Sequence, residues 1–139
     1  MLEGGEDPRF LARRLTRMAV EDIGLADPQA QEVCLQGWQT YERLGSPEGE
    51  LALAQAVVYL ALAPKSNAVY VAYKAARSAA KETGSLMPPK HILNAPTRLM
   101  KQLGHGAGYR YAHVESGGFA AGETYLPEGL PRTRFYEPA

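Results

Sequence analysis

SPEGELALAQAVVYLALAPKSNAVYVAY, residues 46–73, is the stretch whose reading decides the fold. Ser46 offers a capping hydroxyl, and Pro47 is the residue best tolerated at a first helical position. Glu48 and Glu50 then place negative charge at the positive end of a helix dipole. From Leu51 to Ala63 only Gln55 and Tyr59 interrupt an apolar run. Pro64 cannot continue the helix, and Ser66 or Asn67 can cap the next one. A helix that is apolar on every side needs neighbours on every side. Thirteen residues are too few to cross a bilayer, so those neighbours are expected to be protein. The stretch predicts the central helix of an all-α bundle of about five helices, and it carries no chemistry of its own.

Upstream, two shorter signals repeat the same grammar. Asp7-Pro8 reads as cap and first helical residue of a helix running to about Asp22, with Phe10, Leu11, Leu15, Met18 and Ala19 on one face. Gly24 stops it. Asp27-Pro28 opens a second helix that runs to Leu44, with Gly45 as its stop and Val33, Gly37, Trp38 and Tyr41 toward the interior. Gly37 costs about 1 kcal/mol of helix propensity, which a close helix crossing would explain. Cys34, inside this helix with no histidine near it in sequence, reads as a small core residue. Downstream, residues 67–82 form a fourth helix. Val69, Tyr70, Tyr73, Ala76 and Ala80 are expected on one face, Lys74, Arg77 and Lys81 lie on another, and the alanines permit close packing on the third helix. A short fifth helix is expected over residues 94–103.

The chain has 139 residues, with Lys+Arg and Asp+Glu at 15 each, so its net charge is zero. That length makes one domain with a core of its own. Zero net charge gives no global attraction to nucleic acid, and any such contact has to be a local patch. One candidate patch is the arginine stripe of the first helix, Arg9, Arg13, Arg14 and Arg17, joined by Lys65 and Lys101. It reads either as a solvated face, with Glu21 four residues beyond Arg17 and able to pair with it, or as a contact for DNA phosphate or an acidic partner. Cys34 is the only cysteine, which excludes a disulfide framework and a cysteine-based zinc site and fits a reducing compartment. No signal peptide or membrane span is visible. The polar lead MLEGGEDP and the end RFYEPA read as those of a piece cut from a longer protein.

After Leu86 the pattern changes. Pro88-Pro89 forces an extended entry, and residues 105–139 show no sustained period. They still hold Tyr109, Tyr111, Phe119, Tyr125, Phe135 and Tyr136, whereas a disordered tail is poor in aromatics. An ordered, irregular arm packed across a bundle of residues 1–104 is expected, with a short hairpin around Gly117-Gly118. No phosphate-binding loop or dinucleotide fingerprint occurs. The glycines from Gly104 to Gly108 follow a helix instead of opening one, and read as a turn more readily than as an anion nest. His91, His105 and His113 match no metal-ligand spacing. No catalytic residue, cofactor site or metal site is expected. Tyrosines bring a phenol to an apolar surface and are enriched where chains meet. Tyr59, Tyr70, Tyr73, Tyr109, Tyr111, Phe119 and Tyr125 are therefore the candidate oligomer contacts, against the alternative that they seal the monomer's own core.

These blocks, taken together, resemble a known family. PEGELALAQAVVYLALAPKSNAVYVAYKAA (residues 47–76) is similar to the C-terminal region of the replication-associated recombination protein A family, the MgsA/RarA-type AAA+ ATPases related to clamp loaders. The similarity continues in EDPRFLARRLTRMAVEDIGLADPQA (6–30), NAPTRLMKQLG (94–104), GYRYAH (108–113), YLPE (125–128) and RFYEP (134–138), in order and over nearly the whole chain. Val114 and Ser116 depart from the acidic residue and proline of the family pattern. The resemblance implies an oligomerisation domain like the clamp-loader collar, holding a homotetramer. It also implies an ATPase module, with ATP and Mg, outside this chain. The parent would be a cytoplasmic, nucleoid-associated, DNA-stimulated ATPase at stalled replication forks, with single-stranded DNA-binding protein and forked or single-stranded DNA as partners. A DNA- or protein-binding module using the basic helix face is the alternative role.

Overall fold

The computed structural model describes residues 1–130 and 133–138; positions 131, 132 and 139 of the expected arm lie outside the described residues. Five α-helices follow in order: α1 (Pro8–Met18), α2 (Gln29–Leu44), α3 (Glu50–Leu62), α4 (Ala68–Thr83) and α5 (Arg98–Gln102). Short 3-10 turns lie between α1 and α2 and between α4 and α5, plain turns and irregular segments make the other links, and no strand occurs among the described residues. The all-α class is as expected. The chain packs as two units, one of Met1–Arg77 with the segment from Phe135 on, the other of Ser78–Arg134.

In the first unit, α1, α2 and α3 pack pairwise on one another. Asp7 caps α1, its Oδ1 accepting from the Arg9 amide at 2.8 Å, and Pro8 is the first helical residue. α1 then widens into a π turn over Ala19–Ile23, which Gly24 ends at φ 52. The wider turn brings Ala19 and Ile23, four residues apart, to the same side, and both are buried. Gly24 is required twice over: its φ is one other residues avoid, and a β-carbon there would stand 2.8 Å from the Ser66 carbonyl oxygen. The Ser66 amide donates to the Asp22 carbonyl at 2.9 Å, so the lead into α4 is pinned to the end of the π turn.

Gly37 is buried where α2 crosses α3, and a β-carbon on it would approach the Ala52 carbonyl oxygen to 3.1 Å. The expected close crossing is present. The start of α3 differs from expectation. Ser46 and Pro47 lie in the preceding turn, the Ser46 hydroxyl sits 3.4 Å from the Tyr41 phenol, and no side chain caps the helix. Gly49 holds the cap position instead. Its amide donates to the Gly45 carbonyl at 2.6 Å, and a β-carbon there would lie 2.7 Å from the Tyr41 Cα. The turn closes against α2 too tightly for any side chain at that position.

The core of this unit sets Ile23 and Leu60 among the small side chains Ala19, Ala30, Cys34 and Ala56, flanked by Leu15, Val33, Tyr59 and Ala63. Cys34 is in the core as expected, and burial pushes its thiol pKa up. One expectation for α4 is corrected, its close packing on α3. Its half-buried line within this unit is Ala68, Ala72 and Ala76, while Val69, Tyr70 and Tyr73 are exposed. Among the described residues α4 forms no extensive contact with α3, so the close packing on the third helix that its alanines would permit is not realised.

The second unit is held by polar ties. Thr97 caps α5, accepting from the Met100 amide at 3.2 Å, and Pro96 leaves that helix shorter than the expected 94–103. The Arg110 guanidinium donates from Nε to Glu115 at 2.8 Å and from Nη1 to the Ala121 carbonyl at 2.8 Å. That hydrogen bond holds the Glu115 carboxyl below its ordinary range. His91 Nε2 is buried without a hydrogen-bond partner, 3.4 Å from Glu123. The expected hairpin at Gly117-Gly118 is absent. Both glycines have positive φ and form a 3-10 turn, and no strands flank them.

Candidate functional site

The most chemically distinctive surface of the first unit is the outward side of α3. Leu53, Ala56 and Leu60 face the core. On the opposite side, at positions i, i+3, i+7 and i+11, stand Leu51, Ala54, Val58 and Leu62. Leu51 is 76% exposed, Val58 58% and Leu62 82%. The helix that reads as needing neighbours all round therefore has them on one side only. Covering an exposed leucine or valine completely contributes about 1.5–3 kcal/mol. Isolated exposed apolar residues are ordinary, but a continuous row of them on one helix marks a contact surface.

The row continues into an apolar groove of ≈ 940 Å³ between α3 and α1. Leu53, Val57 and Val58 line one wall, and Phe10, Leu15 and Met18 the other. Phe10, Met18 and Val57 are themselves exposed. Arg14 and Glu50 are the charged side chains at its edge, with Glu3.

The sequence-predicted contact residues divide between the two units. Tyr59 is half-buried, and its hydroxyl donates to Asp27 Oδ2 at 2.7 Å. Asp27 Oδ1 accepts from the Gln29 amide at 3.2 Å, so one carboxylate joins the α2 N-terminus to α3. The hydrogen bond to Asp27, aided by burial, raises the Tyr59 phenol pKa. Tyr70 and Tyr73 line a second groove of ≈ 660 Å³ with Trp38, Val20, Arg13 and Arg17. The Trp38 indole N–H is committed to Glu42 at 3.0 Å. Tyr109, Tyr111, Phe119 and Tyr125 lie exposed in the second unit. Tyr111 rests against His113 at 4.9 Å between ring centres.

Arg9, Arg13, Arg14 and Arg17 are all exposed on α1. Arg17 donates to Glu21 at 2.7 Å, which raises its pKa and lowers that of Glu21, and Arg13 lies 5.6 Å above the Phe10 ring. Lys65 donates its ammonium to the Leu60 carbonyl at 2.8 Å and to that of Ala63, fixing a positive charge at the α3 C-terminus. Lys101 stands on α5 in the second unit. Among the described residues no group of three or more His, Cys, Asp or Glu side chains is placed to hold a metal ion. No helix among them is long and apolar enough to cross a membrane.

The outward row on α3 is the feature that tyrosine-based reasoning missed. Its signal was present as an apolar repeat at three- and four-residue spacing, on the side opposite Leu53 and Leu60.

Comparison with known proteins matches residues 1–139 to the family model described as MgsA AAA+ ATPase C terminal. Replication-associated recombination protein A of Coxiella burnetii (strain RSA 493 / Nine Mile phase I) is 62% identical over 138 residues, 99% of this chain and 31% of that relative. The protein of the same name from Escherichia coli (strain K12) is 51% identical over the same share of each chain. ATPase WRNIP1 of Dictyostelium discoideum is 39% identical over 137 residues, 99% of this chain and 16% of the relative. The chain thus spans about a third or less of the length of these relatives.

Proposed function

From the premise that the chain belongs to the MgsA AAA+ ATPase C-terminal family, we propose that it is the oligomerisation domain of its parent ATPase and assembles that protein as a homotetramer. The observation that carries this role is the uncovered row Leu51, Ala54, Val58 and Leu62 on a helix whose other side is already core. Obligate interfaces are more apolar than ordinary surface, and four copies close with dihedral symmetry when each patch meets its own copy across a two-fold. In this role the parent acts as a DNA-dependent ATPase at stalled replication forks, in replication, recombination and repair. Its ATP and Mg are bound in a module outside these residues, it meets single-stranded DNA-binding protein and forked or single-stranded DNA, and it works in the cytoplasm at the nucleoid.

Light scattering on a sizing column tests the assignment. The purified chain is expected to run at four chains' mass and to hold that mass on dilution. Val58→Asp is expected to lower the mass while far-ultraviolet circular dichroism stays unchanged. A single-chain mass for the unmodified protein overturns the role.

A second role, contact with DNA or an acidic partner, is favoured by the four exposed arginines on α1. It predicts salt-sensitive binding of single-stranded or forked DNA that weakens in the Arg13→Ala, Arg17→Ala double variant, with a shallower salt slope. Affinity unchanged by both substitutions identifies the stripe as a solvated face.

A further inference from the structure

We infer that the outward side of α3 is covered by α3 of a second copy of this chain, antiparallel across a two-fold axis that passes near residues 56 and 57. The inference rests on the oligomerisation role and adds to it the surface, the occupant and its direction. Three features of α3 lead to it.

The first is the pattern of side chains. The row Leu51, Ala54, Val58, Leu62 has a large residue at each end and a small one beside a branched one in the middle. Reversed and laid on itself so that Leu51 meets Leu62 of the copy, it sets Ala54 one residue out of step with Val58 of the copy and still beside it. Each bulky centre meets a small one, and the alanine lets the two backbones approach. The same row laid parallel on itself sets alanine on alanine, where it leaves a gap, and valine on valine, while the leucines meet leucines in either direction.

The second is charge. Glu48 and Glu50 precede or open α3, and the Lys65 ammonium is fixed at its other end by the Leu60 and Ala63 carbonyls. The register that pairs Leu51 with Leu62 of the copy also sets Glu48 against Lys65 of the copy. An antiparallel pair thus brings the acidic end to the basic end twice, and it opposes the two helix dipoles. A parallel pair brings Glu48 and Glu50 beside their own copies. Opposite charge at an interface rim chooses between arrangements more than it adds affinity.

The third is continuity. The α1–α3 groove opens beside the row and shares Ala54 and Val58 with it. A helix seated on the row therefore borders a concave apolar surface, and two copies contribute two such grooves to one interface.

Cysteine pairing tests the direction. Leu51→Cys and Leu62→Cys variants, each checked for helicity by circular dichroism, are oxidised separately and as an equimolar mixture exchanged between copies under reducing conditions. Cys34 is buried and takes no part. Each disulfide forms from two thiols with loss of two electrons to two equivalents of the added oxidant, copper(II) phenanthroline, and of two protons to the buffer. The mixture is expected to give a two-chain band severalfold stronger than either variant alone. Ala54→Cys with Val58→Cys repeats the test one layer further in and is expected to behave the same way. Leu51→Cys joining to itself as readily as the mixture overturns the antiparallel direction. A multi-chain mass by light scattering with no band from either pair overturns α3 as the seam while leaving oligomerisation in place. A single-chain mass overturns the oligomerisation role itself.

Discussion

Asp27 and Tyr59 join α2 to α3 through one hydrogen bond. Tyr59 is a candidate oligomer contact, and its phenol donates to a carboxylate that also accepts from the Gln29 amide at the start of α2. The pair also sets a pH dependence. The hydrogen bond to Asp27, then burial and the carboxylate charge, raise the Tyr59 pKa above its unfolded value. A raised folded-state pKa means that the contribution to stability is complete below the unfolded tyrosine value of about 10 and disappears as pH rises through the folded value. Tyr59→Phe is expected to lower the thermal midpoint at neutral pH, and the gap from the unsubstituted chain should close at alkaline pH. Parallel midpoint curves for the two proteins up to the alkaline limit would show that the bond contributes nothing. The sequence held both residues in plain view but nothing to join them, since they lie 32 positions apart and the contact exists only once α2 and α3 have crossed.

At the scale of the element, the α2–α3 hairpin is governed by three glycines with different tasks. Gly45 turns the chain at φ 70, Gly49 lets that turn close on Tyr41, and Gly37 lets the helices meet. A valine at Gly37 would press its branches toward the Ala52 carbonyl and the Ala56 side chain. Overpacking of this kind costs about 1–3 kcal/mol, which exceeds the helix propensity gained. Gly37→Val is therefore expected to lower the urea midpoint with little change in slope, and a variant as stable as the parent would mean that the crossing relaxes freely. Gly37 was legible because a glycine beside a tryptophan in mid-helix demands a reason. Gly49 was not, because Ser46-Pro47 offers a more familiar start signal nearby and the closeness of Gly49 to Tyr41 exists only once the turn has closed on α2.

For the whole molecule, the number and order of the helices were legible because a proline, a glycine or a capping side chain marks boundaries at Asp7-Pro8, Gly24, Asp27-Pro28, Gly45 and Pro64, although the starts of α3 and α5 lie elsewhere than expected. The α3 surface was half legible. The run from Leu51 to Ala63 announced a helix needing cover on every side, but composition alone does not say which side is covered from within the chain. The Arg110 ties of the second unit left no periodic trace, since a guanidinium linking Glu115, Ala121 and Glu123 obeys no helical or strand spacing. The short turn between α2 and α3 has a consequence in time as well as in space. Its closure costs little chain entropy, so the contacts across it form early. The bond from Tyr59 to Asp27 and the pin from Ser66 to Asp22 must wait for longer loops to close. In refolding kinetics Gly37→Val should then act mainly by slowing the folding limb, and Tyr59→Phe mainly by quickening unfolding. Stopped-flow traces on the two variants would give the order in which this small helical core assembles.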